Sequence, residues 1–403
     1  MGTLLLCKIC RAWRHIAITT PSLWNVLSLR LKTRPLSDWV STWLDRSRSF
    51  PVHLRMTWDE KALPNVINPV ISLFQSHLHH TAALWIDGLD IEDQSIVNDS
   101  YSLATFPAVE SAYAPLLSVV GVDLPPNSAW DWIRDACRAS PCLSSLTSSK
   151  FSLDWFPVMN LTKLRLLEPV PMWTVFQILE HAAGLQEISF DVDGPSVTCS
   201  TGNVLVMESI SRIELTSSVH LGQFLDQVSF PGVVTISIYQ IITWPGAQFQ
   251  SFLSRSSCIL KSFSLYDVQI PEIQIIGCLE HKACNRLESL VVSDCEPPAA
   301  SALLQHLTYH EHPFPCSHLT SIEFGNIVSA DGLLATLVES RFSTAVTVPS
   351  GVSAPARLEK VEFSFFDGIF GMSRYSHQHD WLRMEALDSE ESKLEIIWPE
   401  EII

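Results

Sequence analysis

One apolar pattern, apolar-x-x-apolar-x-apolar, recurs eight times in the last two-thirds of the chain and constrains its fold more than any other feature. It runs through Leu161-Leu164-Leu166, Leu185-Ile188-Phe190, Ile210-Ile213-Leu215, Val233-Ile236-Ile238, Leu260-Phe263-Leu265, Leu287-Leu290-Val292, Leu319-Ile322-Phe324 and Leu358-Val361-Phe363. The starting positions of these copies define a period that sits within the range of strand-plus-helix solenoid repeats and drifts longer toward the end. The alternating tail of each copy puts its apolar residues on one face of a short strand. Helix-type stretches separate the copies, at 175–183, 224–228, 247–254, 273–284, 300–308 and 332–339. One strand plus one helix cannot close a core alone, so the units must stack. The expected fold class is therefore α/β, an irregular solenoid.

Upstream, Leu5, Leu6, Ile9, Cys10, Trp13, Ile16 and Ala17 fall at helical spacing and predict one continuous helix over 4–18. Thr19-Thr20-Pro21 ends it, because the residue before proline is pushed out of the α region. An alternating strand at 26–31 follows. The stripe of Leu36, Trp39, Val40, Trp43 and Leu44 then marks an amphipathic helix, and a second strand is expected at 52–56. Further elements are expected as a helix at 64–78, strands at 83–86 and near 109–114, and a helix at 130–139. A faint repeat copy stands at Leu143-x-x-Leu146. Residues 341–356 read as a loop insertion that accounts for the long last spacing, and a helix and strand within 381–397 cap the array.

With 47% hydrophobic and only 17% charged residues, the chain can bury a core and is not a disordered sequence. No apolar run is long enough to span a bilayer, and the start is too short for a signal peptide. Leu6 stands where a myristoylation signal needs Ser or Thr. The expectation is an intracellular protein, cytoplasmic or nuclear, with no membrane partner. Charge is unevenly placed: residues 1–55 hold nine Lys/Arg against Asp38 and Asp45, a net of +7, so the rest carries −24 of a total of −17. An array so acidic repels phosphate backbones, which argues against nucleic acid.

Candidate chemistry is sparse. The ten cysteines show no framework, and Cys7-x-x-Cys10 lies within an apparent helix with no second pair nearby, so reduced thiols are expected. His77, His79 and His80 form one histidine cluster; His310, His312, Cys316 and His318 form another with no standard zinc spacing. Asp90 with Asp93 and Asp191 with Asp193 read as surface acids. Nucleophile-elbow, phosphate-loop and dinucleotide motifs are missing. The reading is therefore no enzyme, no cofactor and no metal.

The run Leu6-Cys7-Lys8-Ile9-Cys10-Arg11-Ala12-Trp13-Arg14-His15-Ile16-Ala17 followed by Thr20-Pro21-Ser22-Leu23-Trp24 resembles the second half of an F-box, with its "C-x-x-W-R-x-I-A" and "T-P-x-L-W" segments. The continuation, with Trp43-Leu44-Asp45-Arg46-Ser47 in a helix, is similar to the F-box-like/leucine-rich-repeat families of fungi. The resemblance covers positions 1–55 by motif and the remainder by repeat architecture. It implies an F-box-like segment at 1–26 without the family's opening "L-P-x-E-I-L" helix, and a leucine-rich-repeat horseshoe at 27–403, regular from about 143 to 366. Cys10, Trp13, Arg14, Pro21, Leu23 and Trp24 would be its F-box core or adaptor-facing residues, with Trp13 and Trp24 packing inside. The implied partners are the Skp adaptor of a cullin–RING ubiquitin ligase and an unknown protein substrate. A stand-alone repeat scaffold or sensor with no ligase partner is the alternative.

In a leucine-rich repeat the strand residues between the buried ones line the concave face. That assigns Arg165, Glu187, Asp191, Arg212 and Glu214 to a charged zone, and it sets Tyr239 and Tyr266 side by side, about 5 Å apart. Tyrosine is an economical contact residue, with an apolar body and a polar tip. The asparagine that usually closes each turn is missing, with Asp193 and Cys295 standing in its place in two copies. The turns must satisfy their backbone by another route.

Overall fold

The computed structural model describes residues 2–58, 62–88, 113–123, 131–149, 151–193, 204–216, 221–296, 301–308, 316–342, 356–365, 377–387 and 394–397. The chain forms two compact units, one comprising Met1–Glu168 with Gln177–Leu185 and the other Pro169–Phe176 with Gln186–Ile403.

The first unit runs α1 (Gly2–Ile9), α2 (Arg11–Thr19), β1 (Val26–Leu31), α3 (Ser37–Ser47), β2 (Val52–Trp58), α4 (Pro64–Ser76), β3 (Thr81–Gly88), β4 (Val119–Asp123), α5 (Asp131–Arg138), β5 (Ser145–Ser148) and β6 (Lys163–Leu166). Its strands pair in sequence order and all in parallel. Leu27, Leu54, Leu84, Val120, Leu146 and Leu164 stand in one register row, each buried. The aromatic anchor is Trp24, which packs edge-on against Trp43 of α3 at 4.7 Å and lies under the Arg46 guanidinium at 4.5 Å. Its indole N–H donates to the Ala17 carbonyl, while the Trp43 indole donates to the Trp24 carbonyl. Both ring nitrogens are thus satisfied inside the core.

The second unit contains β7 (Val170–Pro171), then β8 (Glu187–Asp193), β9 (Leu205–Val206), β10 (Arg212–Thr216), α7 (Leu221–Gln227), β11 (Val228–Ser229), β12 (Thr235–Tyr239), α8 (Gly246–Ser256) and β13 (Ser262–Tyr266). It continues with α9 (Glu272–Leu279), β14 (Ser289–Ser293), α10 (Ser301–Leu307), β15 (Ser321–Ile327), α11 (Leu333–Phe342), β16 (Lys360–Phe365), α12 (Gln378–Leu387) and β17 (Glu395–Ile397). Helix α6 (Met172–His181) belongs in part to each unit. The main sheet is parallel in the order β8-β10-β12-β13-β14-β15-β16-β17, with β7 beside β8 and a separate β9–β11 pair.

The eight-copy pattern is the register of these sheets. Ile188, Ile213, Ile236, Phe263, Leu290, Ile322 and Val361 face one another across successive strands. Every apolar position of all eight copies is at most 4% exposed, so the pattern encodes burial and not merely composition. Helices cover that face: Phe224 of α7 meets Phe190, Phe249 of α8 meets Phe263, and Trp381 of α12 meets Phe363, with ring centroids 5.3, 5.7 and 6.3 Å apart. Sequential parallel strands with one helix-covered face make an α/β arrangement compatible with a solenoid. Among the described residues no helix is long and apolar enough to cross a membrane.

Four expectations need correction. The helix over 4–18 is two helices, broken at Cys10, which takes an extended conformation (φ −155°, ψ 174°) and accepts the first bond of α2 from the Arg14 N–H. The break redirects α2 so that the Ala17 carbonyl reaches Trp24. Trp13, expected inside, is 46% exposed: it stands one turn before Ala17 on the same side of α2, and Ala17 is the buried residue of that helix. The strand expected near 109–114 falls mostly outside the described residues, and the strand of that unit is β4, with Leu117 just before it and Val120 and Val122 within it carrying the repeat pattern. The insertion at 341–356 also begins later than expected, since Arg341 and Phe342 still belong to α11.

Candidate functional site

On the face of the second sheet opposite the helices, three register columns run across the strands. The first holds Glu187, Arg212, Thr235, Ser262, Ser289, Ser321, Lys360 and Glu395. The second holds Ser189, Glu214, Ser237, Ser264, Val291, Glu323 and Glu362. Asp191, Thr216, Tyr239, Tyr266, Ser293 and Gly325 form the third. Strands about 4.8 Å apart turn each column into a continuous ladder of side chains.

Tyr239 and Tyr266 stack with centroids 4.9 Å apart and planes within 5° of parallel. In β12, β13 and β14 the central residues Ser237, Ser264 and Val291 are buried, although they point to the open side. Small side chains in a tight ladder lie below their larger neighbours, so strict alternation overstated their exposure. Arg212 and Glu214 form an ion pair at 3.5 Å, and Lys360 holds Glu362 at 3.0 Å. Both pairs are solvent-screened and worth little stability. Glu187 and Asp191 stand on the same face, each with a partner of its own. Arg165 lies exposed on β6 of the first unit, in register with Thr147.

The strand ends carry a repeated backbone device. Gln240, Asp267, Asp294 and Asn326 all adopt left-handed conformations with φ of 53–54°. Each N–H then reaches the next strand: Gln240 to the Tyr266 carbonyl, Asp267 to that of Ser293, Asp294 to that of Gly325, and Asn326 to the Ser364 hydroxyl. This replaces the missing asparagine ladder, and Asp and Asn are the side chains that best tolerate the conformation. Cys295, at the expected asparagine position, is buried and donates its thiol to the Ser293 carbonyl at 3.7 Å. The Asp193 side chain lies outside the described residues.

Electrostatics concentrate at Glu323. Burial pushes its carboxyl above the ordinary value, and Glu362 adds to the rise. Tyr266 is likewise raised, by burial first and then by Glu323 and Tyr239. These two groups therefore feel each other across β13–β15.

The residues matching the F-box motif are differently disposed. Trp24 is buried, Pro21 and Leu23 are half-buried, and Cys10, Trp13 and Arg14 are exposed. Arg14 donates to the Cys7 carbonyl and ties α2 to α1. Leu5, Ile9, Trp13, Ile16 and Ile18 are all more than a third exposed, an apolar surface on two short helices.

Sequence reasoning missed one group with metal-ligand composition, Asp331, His377 and Asp380, whose donor atoms lie within 4.8 Å of one another. It has another function. Asp331 accepts the N–H groups of His379 and Asp380 at the start of α12, and Asp380 accepts the Ala335 N–H at the start of α11. Each carboxylate caps a helix N-terminus, a positive dipole end that disfavours a cation. His377 completes the network by bonding Asp380 at 3.1 Å. Of the histidine sets, His77, His79 and His80 do cluster, with the His79 and His80 rings hydrogen-bonded at 2.9 Å. His310, His312, Asp90 and Asp93 lie outside the described residues. Among the described cysteines none is disulfide-bonded, and burial pushes the thiols of Cys137 and Cys278 up to about 12 and those of Cys258, Cys295 and Cys316 up to about 11. Such thiols are unreactive.

No protein-family model matches this chain, and no curated protein matches it.

Proposed function

We propose that this chain is a non-enzymatic protein-recognition subunit, an intracellular leucine-rich-repeat horseshoe that serves as substrate receptor of a Skp–cullin–F-box ubiquitin ligase. The observation that carries the recognition reading is the open face of the second sheet. Its ordered columns present paired tyrosines and charged side chains, and no helix among the described residues covers them. Broad ladders of this kind suit a protein surface better than a small molecule.

The ligase part of the reading rests on the F-box-like motif together with the apolar surface of α1 and α2. Leu5 at 62% and Ile16 at 50% exposure are side chains that a water-facing helix has no reason to carry. A partner that covered them would gain roughly 25 cal/mol for each Å² of apolar area removed from water.

The test is a pull-down of the full chain with purified Skp adaptor, beside Leu5→Glu and Ile16→Glu variants. These positions suit the test because Trp24, buried at the centre of the first unit, cannot be removed without damage to the fold. Binding by the wild type, lost at least tenfold in either variant with an unchanged circular dichroism melt, is the expected result. A folded chain that ignores the adaptor would leave a stand-alone scaffold as the better reading.

A further inference from the structure

The stack between Tyr239 and Tyr266 uses one face of the Tyr266 ring. Its other face looks along the sheet toward β14 and β15, whose residues in the same column are Ser293 and Gly325. Gly325 keeps this stretch low, because a Cβ there would run into the Ser293 side chain, its Cβ only 2.8 Å away. Beside the aromatic wall the column thus drops to a shallow slot about 10 Å along the sheet, floored by the Ser293 side chain, which leans over Gly325.

Carboxylates surround the slot. Glu323 of β15 stands in the adjacent column, and the left-handed residues Asp267 and Asp294 stand at the strand ends. Asp294 is fixed in orientation by the Ser293 hydroxyl at 2.7 Å and by the Asn326 side-chain amide. Lys360, the nearby cation on β16, is already engaged by Glu362. Burial first and then Glu362 raise the carboxyl of half-buried Glu323, and Lys360 offsets this only in part. Residues 186–403 hold 11 Lys/Arg against 27 Asp/Glu, a net of −16, so the second unit favours a cation at long range as well.

We infer that the slot bounded by Tyr266, Ser293, Gly325 and Glu323 seats an arginine side chain of a partner protein, the guanidinium lying on the free ring face and its N–H fork meeting the carboxylates. Arginine fits better than lysine because its planar, weakly hydrated head stacks on rings and pairs in bidentate fashion. This rests on the recognition reading of the same face and specifies the chemistry of what is recognised.

The test uses the full chain and fluorescein-labelled nine-residue peptides with three arginines spaced by Gly-Ser, beside counterparts with lysine or with neutral citrulline. Fluorescence polarisation at about 150 mM salt should show the arginine peptide binding about tenfold tighter than either counterpart. Tyr266→Leu and Glu323→Gln should each remove most of that preference. Ser293→Tyr should abolish it by continuing the stack into the slot. Equal binding of arginine and lysine peptides, or indifference to both Tyr266→Leu and Glu323→Gln, would overturn the inference as general attraction to an acidic surface. That outcome would leave the adaptor pull-down untouched. Failure of the pull-down would equally leave the arginine preference standing.

Discussion

At the residue scale, two sets of groups make the protein sensitive to pH in opposite senses. His80 is buried, its Nε2 without a hydrogen-bond partner, and burial followed by the neighbouring His79 and His77 lowers its pKa to about 4. His77 is lowered too, by burial first and then by His79. A histidine held neutral in the fold binds its proton more readily when unfolded. Its stabilising contribution is therefore complete above the ordinary value of about 6.5 and is lost as pH falls toward 4. We expect the urea midpoint of the wild type to fall between pH 7 and pH 5, by the equivalent of about 2 kcal/mol. His80→Gln should be less stable at pH 7 but show a flatter profile. A wild-type midpoint that held steady would mean that these histidines keep their ordinary values in the fold. Glu323 works the other way: a raised carboxyl weakens the fold as pH climbs from the ordinary value through the raised one. The same group would need to be ionised to hold a guanidinium, so the arginine preference should decline on acidification sooner than a surface glutamate would make it.

At the scale of elements, the helices are held in line by one another's ends. Glu272 of α9 accepts the Leu303 N–H in the first turn of α10, Asp380 of α12 does so for α11, and Asp331, just before α11, does so for α12. At the opposite ends, Arg255 of α8 donates to the Leu225 carbonyl in the last turn of α7 and to the Val228 carbonyl just past it, and the buried Arg341 of α11 donates to the Leu307 carbonyl that ends α10 and to that of Cys316. Acid at the positive end and arginine at the negative end both satisfy orphan backbone groups and oppose the dipole. Burial lowers the Arg341 pKa to about 10, which still leaves it charged at neutral pH. Arg341→Met should cost roughly 3–5 kcal/mol by denaturant titration, because two buried carbonyls lose a charged donor. The exposed Lys261, paired with Glu288 on the surface, should cost under about 1 kcal/mol when changed to Met. Comparable losses for the two would refute this account of how the helices are held.

These elements also show what could be read in advance. Copies from Leu161 onward were legible because all three positions of each are apolar. The earlier copies were obscured where Trp24 or the buried Thr81 takes the first position, Thr81 filling it by donating its hydroxyl to the His77 carbonyl. The tyrosine pair was legible from register, since its columns follow from strand spacing alone. The slot beside it was not. It depends on Gly325 and on the left-handed turns at Asp267 and Asp294, residues that read as ordinary loop chemistry until the strands are aligned. Trp13 misled because helical spacing identifies a stripe without saying how much of its length the core reaches, and on α2 it reaches Ala17 but not Trp13.

At the scale of the whole molecule, each main-sheet strand pairs only with the strands of the repeats before and after it, so stability within a unit accumulates step by step. Phe263, fully buried between Phe249 and adjacent strands, should cost roughly 3–5 kcal/mol as alanine. Ile396, on the short terminal strand β17, should cost about 1–2 kcal/mol as alanine. Hydrogen exchange should show the first change loosening β12 through β14 together and the second freeing β17 alone. Uniform loosening of the second unit by Ile396→Ala would point instead to a single cooperative core.

The register rows have a consequence for how such a chain can be inherited. Strand phase is kept by three apolar positions, while the connections between copies vary widely in length without shifting the rows of those positions. Insertions therefore collect in the connections, and recombination between two copies can add or delete a unit while every remaining ladder stays aligned. A lineage built on this plan can rewrite one column residue at a time, trying new surfaces on an unchanged frame.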